Sequence, residues 1–448
     1  MNSFRYLTTL PTLLVVSLLL IGCQSETEQA SSPDSSTNQA KIVKLDVGPA
    51  GLSVEPLESA SSGGAEVVFE SLSPDSTGID FVNPIDQSHP QKYLYASAVA
   101  CGGVAIGDVD NDGWPDVFFT SGPSKNRLFR QTGPMKFEDV TASAKLDSGD
   151  AWSSGAAMVD IDNDGDLDIY ICNFDTPNHL FINNGDGTFV EQAKQFGVDY
   201  VGAGHTPTFC DYDRDGDLDF YLMTNFYYDP RGKMDKPISG MVNGKPGIMP
   251  GFKKYYGVTK IRPGPQPGTL AIDHDAVGQP DRLVRNNGDG TFTEVSKEAG
   301  IKGNGKGNSV TWWDYNEDGW PDIYVGNDFQ DPDRLYRNNG DGTFTNTTEE
   351  MVPHTTWYSM GADFADLDGD GAMDFAIADM SGTNHFKQKT AMGAMSDSAE
   401  FLNTAVPRQY MRNVVYVNSR GGRFMEAAYL SGLANSDWTW TVLSLIHI

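Results

Sequence analysis

The stretch Asp160-Ile161-Asp162-Asn163-Asp164-Gly165-Asp166-Leu167-Asp168 decides the fold, because it recurs. Asp108 to Asp116, Asp211 to Asp219, Asp314 to Asp322 and Asp366 to Asp374 are four further copies. Positions 1, 3, 5 and 9 carry oxygen side chains throughout. They are Asp108, Asp110, Asp112 and Asp116 in the first copy, and Asp160, Asp162, Asp164 and Asp168 in the second. Asp211, Asp213, Asp215 and Asp219 fill them in the third, Asp314, Asn316, Asp318 and Asp322 in the fourth, and Asp366, Asp368, Asp370 and Asp374 in the fifth. Position 6 is always glycine. So many carboxylates in nine residues repel one another unless a cation lies among them. Hard oxygen donors without His or Cys favour Ca²⁺ over zinc or copper, at about five sites here. Glycine allows the sharp turn that wraps such a loop around an ion.

What flanks the loops excludes one of the two architectures that open this way. A helix–loop–helix calcium site needs a Glu at position 12. Here that position is Phe119, Ile171, Leu222, Val325 or Ile377, none of which ligates a metal. The residues after each loop, such as Ile169-Tyr170-Ile171 and Ile323-Tyr324-Val325, are β-branched and aromatic and predict strands. Each loop is therefore expected to join two strands. The spacing is also far too wide for a nonapeptide β-helix.

The loop starts lie 52, 51, 103 and 52 residues apart. A second marker explains the double gap. Asn183-Asn184-Gly185-Asp186-Gly187-Thr188-Phe189 recurs identically at 286–292 and 338–344, trailing its loop start by 23, 75 and 24 residues respectively. The third unit thus carries an insertion over about 227–280. Asn-Gly-Asp-Gly is hairpin-turn chemistry, and a plain turn is favoured over a second metal site there. Four strands per unit of about 50 residues is the pattern of a β-propeller blade. The expected fold is all-β, a propeller of four-stranded blades with five to six visible in this sequence.

The ends and the charge bound the function. The formal net charge is −29, and no basic stripe runs over the chain, which argues against nucleic acid. Residues 1–23 have a positive start at Arg5 and an apolar run from Leu10 to Ile21, too short for a comfortable membrane span. Leu20-Ile21-Gly22-Cys23 resembles a bacterial lipobox, which implies acylation of Cys23 and attachment to the cell envelope through that lipid alone. Residues 24–62 are expected to be a polar flexible linker and 63–448 the propeller. Cys101, Cys172 and Cys210 are expected as buried free thiols, one at least being unpaired by number.

The chain resembles the FG-GAP/VCBS repeat family, and more narrowly the cartilage acidic protein/ASPIC-UnbV group. The narrower likeness rests on Gly102-Gly103-Val104-Ala105-Ile106-Gly107-Asp108, on Pro280-Asp281-Arg282-Leu283 and on the run from Gly432 to Trp440. The resemblance implies a seven-bladed, integrin-α-like propeller with Ca²⁺ in its hairpin loops. It also implies that the position 7 carbonyls of Trp114, Asp166, Asp217, Trp320 and Ala372 join the ligands. In the family, a motif like Trp438-Thr439-Trp440 leads into another calcium loop. Here it leads to Thr441–Ile448, so a fragment lacking its C-terminal portion is expected.

Several stretches are candidates for function. The insertion at 227–280 holds eight basic residues between Arg231 and Arg262, with Tyr255 and Tyr256. It is read as a charge-offsetting loop ahead of a lid for an anionic glycan or protein. A second insertion at 379–412, with Met380, Met392, Met395, Met411 and Phe401, is expected to pack a helix over a blade. Trp152, Trp357 and Trp438 are read as core residues ahead of a sugar-stacking ring. No Gly-x-Ser-x-Gly, His-Glu-x-x-His or phosphate-binding loop is present. The expectation is a calcium-stabilised binding or adhesion module for a protein or glycan, not an enzyme. A polysaccharide-processing enzyme domain and a scaffold subunit of an envelope complex are the alternatives.

Overall fold

The computed structural model describes residues 70–97, 102–231, 237–303, 305–329, 331–390 and 405–443. The chain divides into two compact units, Met1–Glu70 and Ser71–Ile448, and the described elements belong to the second. Cys23, the leader and linker, Cys101, Lys233, Lys236, Met392, Met395 and Phe401 lie outside the described residues.

The fold is a β-propeller. Five antiparallel four-stranded blades are present among the described residues. Blade one comprises Val104–Gly107, Asp116–Phe119, Arg127–Gly133 and Lys136–Asp139. Blade two comprises Ser153–Val159, Asp168–Pro177, His179–Asn183 and Phe189–Glu191. Blade three is Val201–Cys210, Asp219–Thr224, Arg282–Asn286 and Phe292–Glu294. Blade four is Gly307–Trp313, Asp322–Asn327, Arg334–Asn338 and Phe344–Asn346. Blade five is Ala362–Ala365, Asp374–Ile377, Val414–Asn418 and Phe424–Glu426. Strands flank every acidic loop, as the residues after position 9 predict. Blades two and three also pair with each other at Phe174↔Ala203 and Pro177↔Val201, which fuses them into one eight-stranded sheet.

The core lies between blades, and strand periodicity explains why. Successive side chains of a strand point to opposite faces. In Asp168–Pro177, Ile169 and Ile171 pack toward blade one with Phe118 and Leu128. Tyr170 and Cys172 pack the other way, with Phe220, Leu222 and Val284 of blade three. The same interleaving joins blades three and four through Tyr221, Met223, Ile323 and Val325, and blades four and five through Tyr324, Leu335, Phe375 and Tyr416. A second strand with both faces covered must be apolar at every position, which accounts for runs such as Ile-Tyr-Ile. Each fully buried side chain contributes about 1.5–3 kcal/mol.

The insertions leave the blades at the end remote from the acidic loops. Between Thr224 and Arg282 the chain forms two hairpins, Ser239–Val242 with Lys245–Ile248 and Tyr256–Pro263 with Leu270–Ala276. One ion pair of this insertion's basic residues reaches a blade and two close within the insertion itself. Lys254 pairs with Asp175 at 2.7 Å, Arg231 with Asp229 at 2.7 Å and Arg262 with Asp273 at 2.8 Å. In the second insertion His385–Thr390 is helical, and Arg408–Tyr410 pairs in parallel with His354–Thr356. Trp152 and Trp357 are buried as core, whereas Trp438 is 49% exposed. Gly122 must be glycine, since a Cβ there would meet the Trp152 ring at 2.0 Å. Cys172 and Cys210 are free thiols, the first buried and the second half-buried. No helix among the described residues is long and apolar enough to cross a membrane.

Candidate metal centre

Each acidic loop is organised from its two ends. The position 1 carboxylate accepts the position 5 amide on one oxygen and the position 6 glycine amide on the other. For Asp108 these distances are 3.1 and 2.8 Å, and for Asp160 they are 3.1 and 3.0 Å. Asp211, Asp314 and Asp366 repeat the pair. The position 9 carboxylate is the buried end: Asp116, Asp219, Asp322 and Asp374 are 0% exposed and Asp168 is 1% exposed. One of its oxygens accepts the position 2 amide. The other accepts an amide from the third strand, as in Asp168 to Ile161 (3.0 Å) and Asn183 (2.8 Å). Backbone donors thus fix both carboxylates, so a cation entering the loop finds them already placed.

Positions 1, 3 and 9 converge. Asp108 with Asp110 and Asp116, Asp160 with Asp162 and Asp168, Asp211 with Asp213 and Asp219, and Asp366 with Asp368 and Asp374 each bring ligand atoms within 4.8 Å of one another. Asp110 Oδ1 and Asp213 Oδ1 are buried without a hydrogen-bond partner. The fourth loop differs through its one amide. Asn316 Oδ1 accepts the Asp318 amide at 3.1 Å and Nδ2 donates to Asp318 Oδ2 at 2.9 Å. Asp314 and Asp322 keep the same backbone bonds as their counterparts.

The position 5 residues stand apart from these converging sets. One oxygen of each of Asp112, Asp164, Asp215, Asp318 and Asp370 accepts the position 7 amide at 2.7–3.0 Å, closing a tight turn. Position 7 residues Trp114, Asp166, Asp217, Trp320 and Ala372 therefore donate their N–H within the loop. Burial raises the position 9 carboxyls: Asp168 and Asp322 to about 7 and Asp219 to about 8, with Asp116 and Asp374 moving in the same direction. Burial followed by the neighbouring loop carboxylates does the same to Asp110, Asp162 and Asp213. Converging carboxylates, two bare buried oxygens and a donor set without nitrogen or sulfur fit a hard divalent cation.

Contacts between loops are the part that sequence reasoning missed. Position 4 has a positive φ in every copy, at Asn111, Asn163, Arg214, Glu317 and Gly369. From there the side chains of Asn111, Asn163 and Arg214 reach the next loop, and Glu317 pairs with Arg420 at 3.3 Å. Asn111 Nδ2 donates to Asp166 Oδ1 at 2.7 Å, and Asn163 Nδ2 to Asp217 Oδ1 at 2.8 Å. The Arg214 guanidinium lies 4.7 Å from the Trp320 ring centre. The first Asn of the turn marker stitches neighbouring blades. Asn183, Asn286, Asn338 and Asn418 donate through Nδ2 to the position 2 carbonyls of Val109, Ile161, Tyr212 and Tyr315, at 2.8–3.2 Å. The aspartate of the marker is satisfied by its own turn: Asp186 Oδ1 accepts the Thr188 amide and hydroxyl. That agrees with the plain-turn reading. Gly185 is favoured here because its φ is +69° and a Cβ would displace Asp166 Oδ2, which would lie 2.7 Å away.

These repeats are matched by the model of the FG-GAP-like repeat at residues 108–171, 160–222, 270–325 and 314–377. Cartilage acidic protein 1 from Homo sapiens is 27% identical over 271 residues, covering 52% of this chain and 40% of that protein. The Mus musculus protein is 26% identical over 272 residues, covering 56% and 39% respectively. The Xenopus tropicalis protein is 28% identical over 131 residues, or 29% of this chain and 20% of that protein. The chain thus spans less than half the length of the curated relatives it matches. A solved structure of a lectin from Agrocybe aegerita that recognises non-reducing terminal N-acetylglucosamine aligns with a TM-score of 0.35 at 15% identity. That alignment covers 74% of this chain and 65% of the lectin. By its motifs, its blades and the matched segments, the chain is a protein of FG-GAP-like repeats.

Proposed function

We propose that this chain is a calcium-stabilised propeller that works outside the cytoplasm as a binding module for a protein or glycan, with no catalysis of its own. The observation that carries the reading is the convergence of three carboxylates within 4.8 Å in four successive loops. Bound Ca²⁺ supplies the positive charge that offsets their repulsion. Asp108, Asp110 and Asp116, and their counterparts in the other loops, hold it. The position 1 and position 9 amide bonds keep those oxygens in place before and after binding. With one rim occupied by metal loops, the rim carrying the insertions is the ligand-facing side of this proposal, since long loops on a rigid scaffold are where binding residues collect.

Isothermal titration of chelator-treated full chain with CaCl₂ is expected to show uptake of several equivalents. Asp168→Asn is expected to remove about one equivalent, one loop's worth. No heat and no change in melting temperature on chelation would overturn the metal half of the reading. A glycan array probed with and without Ca²⁺ tests the binding half; turnover of a bound glycan would replace the module with an enzyme. The Leu20-Ile21-Gly22-Cys23 run motivates the envelope location. Palmitate labelling lost in Cys23→Ser checks it.

A further inference from the structure

The opposite rim repeats a position of its own. The residue thirteen after each loop start is Ser121, Asn173, Thr224, Asn327 or Asp379, and its amide is accepted by Asn126, Asn178, Asp281, Asp333 or Asn413. Only the fifth blade places a carboxylate at this position. The next residue is Gly122, Phe174, Asn225, Asp328 or Met380, and only the fourth blade makes it acidic. Two departures from the repeat therefore meet where blades four and five adjoin.

Neither of these carboxylates is fully partnered. Asp379 is 0% exposed; its Oδ2 accepts the amides of Trp357 (2.8 Å) and Tyr358 (3.1 Å), while its Oδ1 meets no donor. Asp328 Oδ1 is likewise buried without a partner. Gln409 links the two segments. Its Nε2 donates to Phe329 O and Thr356 O, both at 3.1 Å, which leaves its Oε1 buried and unpartnered as well. Phe329 stacks 5.7 Å from Trp357 and meets the tilted Tyr358 ring at 5.6 Å, closing the segments on each other. After burial, the charges of Asp333 and Asp328 raise the Asp379 carboxyl further, so the acids act on one another. Lys306, the buried cation of this region, bonds Asp275 at 2.6 Å; its charge opposes the burial-driven rise of the Asp328 carboxyl, and it makes no bond to Asp379. Three buried oxygens, two of them carboxylate, thus lack donors on segments that Gln409 and Phe329 hold together. Such a group stays buried only with a proton or a cation beside it.

We propose that the junction of blades four and five holds a hard cation of the Ca²⁺ class on the rim opposite the acidic loops, with Asp328, Asp379 and Gln409 as its side-chain oxygen ligands. This site owes nothing to the nine-residue loops. Its ligands come from three separate segments, so the cation would cross-link blade four, blade five and the second insertion. Asp333 lies beside it as a bystander, its oxygens taken by Tyr324, Asn327, Thr356 and Ser359.

Crystals of the full chain grown with MnCl₂ provide the test. Anomalous difference density is expected among Asp328, Asp379 and Gln409 as well as at the loops, with loss of the junction peak alone in Asp379→Asn. Peaks at the loops with only a weak, non-anomalous water at the junction overturn this proposal and leave the loop reading standing. A junction peak with empty loops does the reverse. If Asp379→Asn does not fold, Gln409→Met serves instead: a peak of undiminished occupancy there removes Gln409 from the ligand set and overturns the assignment.

Discussion

Along the rim of the acidic loops each blade repeats the same set of bonds; along the opposite rim the blades share one amide bond and otherwise diverge. On the first rim the position 1 and position 9 carboxylates make the same backbone bonds in each copy, and a marker Asn ties blades two to five to the loop of the blade before. On the second, one blade inserts two hairpins, another inserts a helix, and buried acids stand at different positions in blades three, four and five, as Asp281, Asp328 and Asp379. The difference separates two jobs. Bonds that recur in every blade serve the scaffold. Features that appear once are free to serve a ligand.

The comparison is broken most strongly by removing the metal. Each loop whose ion is held at a hundred times its Kd adds about 2.7 kcal/mol, so chelation is expected to lower the melting temperature by far more than any single substitution. Differential scanning calorimetry with and without EGTA reads this directly. Next is Phe375→Ala. Phe375 meets Trp313, Tyr324, Tyr416 and Phe424 with ring centres 4.7–5.2 Å apart, and its loss is expected to cost about 3–5 kcal/mol in urea unfolding. Asn338→Ala cuts one inter-blade stitch, leaves the buried Tyr212 carbonyl bare, and is expected to cost about 1–3 kcal/mol. Lys254→Ala, on the insertion side, removes a half-exposed ion pair to Asp175 and is expected to cost about 0.2–1 kcal/mol.

A pH experiment sharpens the same contrast. Burial pushes the Asp333 carboxyl up to about 6, above the ordinary carboxylate value of 3.8. The folded chain therefore holds this proton more tightly than the unfolded chain. The stability it contributes is complete below about pH 4 and is lost as pH rises through about 6. Asp333→Asn removes that titration, and Asn already occupies the equivalent position at Asn126, Asn178 and Asn413. Relative to the parent, the variant is expected to gain stability by about 1–3 kcal/mol between pH 4 and pH 7, measured by urea unfolding at saturating Ca²⁺. No change in the difference between the two proteins across that range would contradict the assignment.

Much of this architecture was legible in the residues. The loop spacing, the failure of position 12 as a ligand and the apolar runs after position 9 predict strand-flanked acidic loops and four-stranded units, and the double gap predicts the insertion. What escaped reading has one cause: contacts between units. Asn183 reads as a turn former, and its reach to Val109 depends on how blades stack. Asn111 reads as a loop filler, yet its positive φ aims it at Asp166 of the next loop. The Asp328–Asp379 junction was invisible because its residues are 51 positions apart and neither belongs to a motif.

The stitch from the marker asparagine has a consequence for how such chains grow. Its acceptor is a main-chain carbonyl, which every copy of the loop possesses whatever side chain stands at position 2. For this bond, one module can follow any other without a matched partner having to arise. Duplication or loss of a whole module therefore leaves this one bond intact, while the side-chain contacts around it, such as Arg214 with Trp320, must be matched anew at each seam.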